Sequence, residues 1–183
     1  MKRNEFFKKT CMTGLCTCAG IAAFGSVDLF AQDDKVEKKE DWRVGFMQRR
    51  FAKLIDNMGD KITPGQREEL IEQMGRNCSA MNNDKWKGFN GSIENALADI
   101  EKDFAEKATY DKQTQTITII GRPSTECFCP FAGGKNIAKE FCNCSIGWQK
   151  NTFETISGKK AEASIIASVL RGNDRCSFSI KLS

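Results

Sequence analysis

The residues of this chain best suited to chemistry are cysteines. Beyond residue 32 they fall as Cys78, Cys127-Phe128-Cys129, Cys142-Asn143-Cys144 and Cys176. Five of these six lie between residues 127 and 176, so their sulfurs are crowded along the chain. Crowded thiols serve as soft metal ligands, as a disulfide framework or as nucleophiles. In an extended loop, residues two apart point the same way, so Cys127 and Cys129 can present both sulfurs to one point. On a helix the same spacing separates side chains by about 200°. Cys142 and Cys144 therefore converge only where a helix ends between them, and Asn143, Ser145 and Gly147 favour such an end.

Three chemistries follow from these residues. The first is a metal site, zinc or another thiophilic ion, drawing four ligands from Cys127, Cys129, Cys142, Cys144 and Cys176. The single-residue spacers in Cys-x-Cys depart from the two to four residues of zinc knuckles. The second is a disulfide framework, since an even number of cysteines remains once the leader described below is removed. The third is a reactive thiol, which needs a neighbouring base. The chain has no histidine, so only Lys135, Lys139 or Glu140 is near enough in sequence to assist.

The absence of histidine also excludes Ser-His-Asp and Cys-His catalysis, the HExxH metalloprotease helix and every imidazole metal site. A net charge of only +4, with no basic block outside the first residues, argues against nucleic acid as a partner. Gly133-Gly134-Lys135 fails as a phosphate loop, because Cys129 stands at the first glycine position and Asn136 follows the lysine. The carboxylates Asp56, Asp60, Glu68, Glu69 and Glu72, interleaved with Arg67 and Arg76, read as a solvated helix face.

With 183 residues, the chain has room for one ordinary domain. Residues 1–32 have the layout of an export signal: Lys2, Arg3, Lys8 and Lys9, then a largely apolar stretch from Cys11 to Phe30. The run Arg3-Asn4-Glu5-Phe6-Phe7-Lys8 resembles the bacterial twin-arginine motif, with Asn4 in place of the second arginine; ordinary secretion would also accept this segment. The expectation is a periplasmic or otherwise exported protein, with the export machinery as a transient partner and no membrane span after processing. Residues 33–41 read as a charged linker.

Residues 42–183 are expected to form a single α+β domain, its N-terminal helices packed on a small antiparallel sheet with a C-terminal hairpin. Trp42, Phe46, Phe51, Leu54, Ile55 and Met58 recur at helical spacing, and Gly59 follows as a stop. Thr63-Pro64-Gly65-Gln66 is a capping-box start for a second helix, for which Gly75 marks the end. Ser92 caps a third, carrying Ile93, Ala96, Leu97, Ile100 and Phe104. Thr114 to Ile120 alternates as a half-buried strand closed by Gly121, and a short helix is expected from about Lys135. Residues 163–170 and 175–182 form the hairpin around Gly172-Asn173-Asp174, with Cys176, Phe178 and Ile180 on its buried face. The aromatics Trp42, Phe46, Phe51, Phe104, Phe141, Trp148 and Phe153 read mainly as core.

The succession Cys129-Pro130, Glu140-Phe141-Cys142, Gly147 and Gly172-Asn173-Asp174-Arg175-Cys176-Ser177-Phe178 resembles the C-terminal part of the L-2-amino-thiazoline-4-carboxylate hydrolase family. It is also similar to the vinyl-reductase-type small-molecule-binding domain. The match covers roughly the last third of the chain. It implies an α+β domain for a small-molecule ligand, with hydrolysis of a cyclic C–N bond as its activity and a structural zinc on cysteines near its end. On that resemblance Cys142 and Cys176 match family cysteines, while Ile165 and Ser168 stand where an acidic residue and a further cysteine are expected. Cys127 and Cys129 would complete the set.

Overall fold

The computed structural model describes residues 42–59, 61–132 and 137–183. The export signal, the charged linker and Lys135 lie outside these residues. Five helices and four strands follow in the order α1 (Trp42–Met58), α2 (Pro64–Ala80), α3 (Asn83–Lys87), α4 (Ile93–Asp103), β1 (Ala105–Asp111), β2 (Thr116–Gly121), α5 (Asn143–Ser157), β3 (Ala161–Ala167) and β4 (Ser177–Leu182). The strands form one antiparallel sheet in the order β1-β2-β4-β3. This is the expected α+β architecture, including the terminal β3–β4 pair. No helix of the described residues is long and apolar enough to cross a membrane.

Local sequence accounts for several element boundaries. Thr63 accepts a hydrogen bond from the backbone of Gln66, whose side chain accepts one from the backbone of Thr63, so two orphan donors at the start of α2 are satisfied at once. Ser92 caps α4 in the same sense through the Asn95 backbone. In β2, Ile117 and Ile119 face inward and their neighbours outward, as a strand with one covered face requires. Against these isoleucines lie Ile180 and Leu182 of β4, Leu97 and Ile100 of α4, and Phe153 and Ile156 of α5, making one core between helices and sheet.

The structure corrects the expected pattern in four places. Gly75 does not end α2, which continues to Ala80. The turn of α2 at Gly75 and the turn of α5 at Gly147 press together: a Cβ on Gly75 would fall 1.7 Å from the Cys144 carbonyl oxygen, and one on Gly147 would fall 1.8 Å from that of Glu72. Both glycines are thus consumed by a backbone-to-backbone helix contact. Secondly, the segment from Asn143 to Ser157 is a full helix, so Cys142 and Cys144 lie at a helix start and not at a helix end. Thirdly, Trp42, Phe46 and Leu54 are exposed, and α1 buries only Ala52 and Ile55. Finally, the β3–β4 connection is longer than the expected turn, with Val169–Arg171 in a 3-10 turn and Gly172 in the left-handed region at φ 96°.

The helices α2 and α5 run side by side in the same direction, as successive contacts of Gly75 with Cys144 and Ser79 with Thr152 show. Glu72 is not merely solvated. It pairs with Lys150 at 3.1 Å and with Arg76 at 3.4 Å, and Arg76 reaches Glu154 at 2.7 Å, a half-buried chain of charges along the α2–α5 joint. Deeper in the same joint, the buried Ser79 hydroxyl lies 2.8 Å from the Thr152 hydroxyl and accepts from the Asn151 amide at 3.0 Å. Ser79→Ala is expected to cost about 1–3 kcal/mol in urea unfolding, because it removes the hydrogen-bond partner of two neighbouring polar groups. A loss below the error of the fit would show that water replaces the hydroxyl.

Candidate functional site

The cysteines meet where the 122–132 loop, the N-terminus of α5 and the start of β4 come together. Cys127, Cys129, Cys142, Cys144 and Cys176 line one cavity, with Phe141, Ser145, Ile165, Ser168, Leu170 and Phe178 completing its wall. The space open to the centre of a water-sized occupant is about 20 Å³. A single water needs roughly 10–15 Å³ on the same measure. All five cysteines named from the sequence are therefore brought to one place. Among the seven aromatics read mainly as core, only Phe141 also reaches it.

Each supporting element has a local cause. The loop turns on the Ala132 backbone donating to the Cys129 carbonyl at 2.9 Å, and Gln48 of α1 donates to the Pro130 carbonyl at 2.6 Å. Phe131 packs on Phe51 of α1, whose ring also meets Phe141, while the exposed Phe128 lies on Phe104. Anchoring rings on either side of Cys129 leave the two loop cysteines turned inward, half-buried. At the other wall, the Gly121 backbone donates to the Cys176 carbonyl at 2.8 Å, extending the β2–β4 pairing by one residue. Cys176 immediately precedes β4 and is only partly buried, less than its strand-face position suggested.

Cys142 is the most enclosed of the five, and its Sγ lies 2.8 Å from the Ser168 Oγ. Ser168 stands at the position where the resemblance expected a cysteine; it is buried and faces the same cavity. Burial raises the Cys142 thiol above its ordinary pKa, opposed by the Ser168 hydrogen bond and the nearby Arg171 guanidinium. Burial likewise pushes Cys127 up to about 11 and Cys144 up to about 12, with repulsion from neighbouring cysteines adding to it. Low-dielectric surroundings disfavour a thiolate that no cation compensates.

All six cysteines of the described residues are free thiols. Among those residues no three cysteine, aspartate or glutamate side chains stand as a ready-made metal ligand set. The sulfurs share a cavity without surrounding a point. Rotation between staggered χ1 wells moves a cysteine sulfur by about 3 Å, enough to change which sulfurs converge. Of the residues named as helpers for a reactive thiol, Lys139 and Glu140 are exposed and absent from the cavity wall.

The raised pKa of Cys144 has a kinetic consequence. At pH 8 its thiolate fraction should be about a thousandfold below that of a thiol at the ordinary value of 9.0, so its alkylation by iodoacetamide should be slower by a similar factor. The rate should rise about tenfold per pH unit until the pH approaches 12. Mass-spectrometric footprinting of the metal-free protein measures this, and labelling at the rate of a free peptide thiol would contradict the burial.

Sequence reasoning missed Ser168 as a polar partner within the cluster.

No family model and no curated protein matches the sequence. Several solved structures are similar in fold. One is a trafficking protein particle complex subunit 3 from Naegleria fowleri covalently bound to palmitic acid: TM-score 0.52, 12% identity, 78% of this chain and 96% of that chain covered. Another is the phenol-responsive sensory domain of the transcription activator PoxR with phenol, with TM-score 0.51 and 12% identity over 74% of each chain. A vinyl-4-reductase family protein from Methanocaldococcus jannaschii has TM-score 0.41 and 12% identity, over 81% of this chain and 86% of that chain. The first two likenesses show a shared fold.

Proposed function

We propose that residues 42–183 form a small-ligand-binding domain whose cysteine cavity takes a thiophilic metal ion, in a protein exported by the signal at residues 1–32. The observation that carries this reading is the size and lining of the cavity: five cysteines from three segments around about 20 Å³ of space. The fold neighbours were solved with phenol and with palmitic acid. Either molecule is far larger than this cavity, whereas a metal ion is not. Soft thiolates without imidazole or carboxylate in the wall select zinc, copper(I) or iron–sulfur chemistry over hard cations. Ligation would also answer the cost of burying these sulfurs, because a bound cation compensates the thiolates that burial alone disfavours.

Binding is better supported than hydrolysis. The wall offers thiols and the hydroxyls of Ser145 and Ser168, but no carboxylate or amine to relay a proton. A structural or transported ion requires no such group.

Elemental analysis of protein purified without chelators, together with zinc titration of the reduced metal-free chain, tests the reading. Stoichiometric metal, lost on chelation and absent when Cys129 and Cys142 are both replaced by serine, is the expected result. Three disulfides in the purified protein, seen as a gain of about six hydrogens on reduction, would replace the metal with a framework that pairs all six cysteines. N-terminal sequencing tests the exported state: a start near Gln32 is expected, and an intact Met1 in soluble cytoplasmic protein would overturn it.

A further inference from the structure

Helix α1 differs from the other helices in what it leaves uncovered. It buries Ala52 and Ile55 and is anchored through the half-buried Phe51 on Phe131 and Phe141, while Trp42, Phe46, Met47 and Leu54 stay exposed. A surface helix ordinarily turns its aromatic residues toward the core, so an exposed tryptophan followed four residues later by an exposed phenylalanine calls for a second apolar environment. Their rings meet edge to face, 6.1 Å between centroids, as one aromatic ridge.

The same face is basic. Arg43, Arg49, Arg50 and Lys53 stand in α1 against the single carboxylate of Asp56. At about 100° per residue, Phe46, Arg49, Arg50 and Lys53 project within about 80° of Trp42, whereas the buried Ile55 projects about 140° away. Arg50 lies over the Phe46 ring, 5.6 Å from its centroid. Among the described residues, Arg49, Arg50 and Lys53 form no ion pair. Three uncompensated cations are thus set among exposed rings.

That mixture discriminates between partners. The centre of a protein–protein interface is depleted in lysine, because the ammonium must be stripped of water. Lys53 projects between Trp42 and Phe46, so a protein covering both rings would also bury that charge. Single-stranded nucleic acid is held in a basic groove, and this face is the convex side of one helix. At an anionic bilayer neither obstacle arises. Aromatic rings sit at headgroup level there, and arginine and lysine stems lie along apolar surface while their heads reach the phosphates.

We infer that the outer face of α1 docks on the surface of an anionic lipid bilayer, with Trp42 and Phe46 entering the headgroup region and Arg49, Arg50 and Lys53 meeting lipid phosphates. The helix lies in the interface plane and does not span. This surface is independent of the cysteine cavity and of any ion bound there.

The test adds vesicles of equal parts phosphatidylcholine and phosphatidylglycerol to the full chain and follows tryptophan emission. Trp86 is buried, Trp148 is half-buried and residues 1–41 hold no tryptophan, so Trp42 carries the response and the leader cannot imitate it. A blue shift and quenching by brominated lipid chains are expected, both lost with phosphatidylcholine alone or in about 0.5 M salt. The double variant Arg50→Gln, Lys53→Gln should bind about thirtyfold more weakly, at roughly fivefold per cation. Trp42→Phe should lose the blue shift and still sediment with the vesicles. Far-UV circular dichroism checks that each variant folds. Vesicle binding that leaves Trp42 emission unchanged is the work of the leader and overturns the inference, as does a double variant that binds like the parent. A lipid-free dimer that shields Trp42 from acrylamide, or an oligothymidylate that binds more tightly than the vesicles, gives this face to another partner and overturns it too.

Discussion

Gly147→Ala is expected to destabilise the domain by about 4 kcal/mol or more, or to prevent its folding. The added methyl would sit 1.8 Å from the Glu72 carbonyl oxygen and 2.9 Å from the Arg76 nitrogen. Both are backbone atoms of a helix interior, so no rotamer change relieves the overlap. The two helices must separate by about 1.5 Å to restore ordinary contact, and a close-packed joint loses its dispersion contacts over that distance. Gly75→Ala meets the mirror-image obstacle at the Cys144 carbonyl and should behave alike. Gly65→Ala is the control: it lies in the first turn of α2 with open space around it, and should stabilise by up to about 1 kcal/mol through helix propensity. Urea unfolding of the three variants gives the comparison. Gly147→Ala within 1 kcal/mol of the parent would mean that the helices are not in backbone contact.

That joint also explains where the sequence could be read and where it could not. Local signals carried through: the Thr63 and Ser92 caps, the alternation of Ile117 and Ile119, and the terminal strand with Phe178 and Ile180 all became the expected elements. Gly75 did not, because a glycine that stops a helix and a glycine that admits a neighbouring backbone are identical in one sequence. Only its partner, Gly147, separates the two meanings, and that partner lies seventy-two positions away. Similarly, α1 carries apolar residues at helical spacing, yet Trp42 is 72% exposed, since periodicity marks a face without saying what covers it. Strand β1, Ala105-Glu-Lys-Ala-Thr-Tyr-Asp111, has only three inward positions of any apolar character and pairs through its backbone with β2, which propensity does not reveal. The five cysteines named from their crowding line one cavity, because a shared segment between two strands of one sheet has few places to go.

The second large effect concerns loading with metal. An ion bound only by the folded state stabilises it by RT ln(1 + [L]/Kd), about 4 kcal/mol at a free concentration a thousandfold above Kd. Cysteines of the unfolded chain also bind soft metal ions, so the measured gain should fall short of this value. Cys176 is half-buried and carries no hydrogen bond that serine would break, so Cys176→Ser should change the metal-free protein by no more than about 1 kcal/mol. Replacing Cys129 and Cys142 together by serine should remove the stabilisation gained on loading, because the cavity then keeps three of its five thiols and lacks the four ligands that structural zinc requires. Urea denaturation of the parent, Cys176→Ser and the double variant, each with and without buffered zinc, reads all of these differences from the midpoints. Midpoints that coincide with and without metal would sink the prediction. A gain shown by the parent and absent from the double variant is what binding in the cysteine cavity must produce, because the ion then has no folded site left to favour.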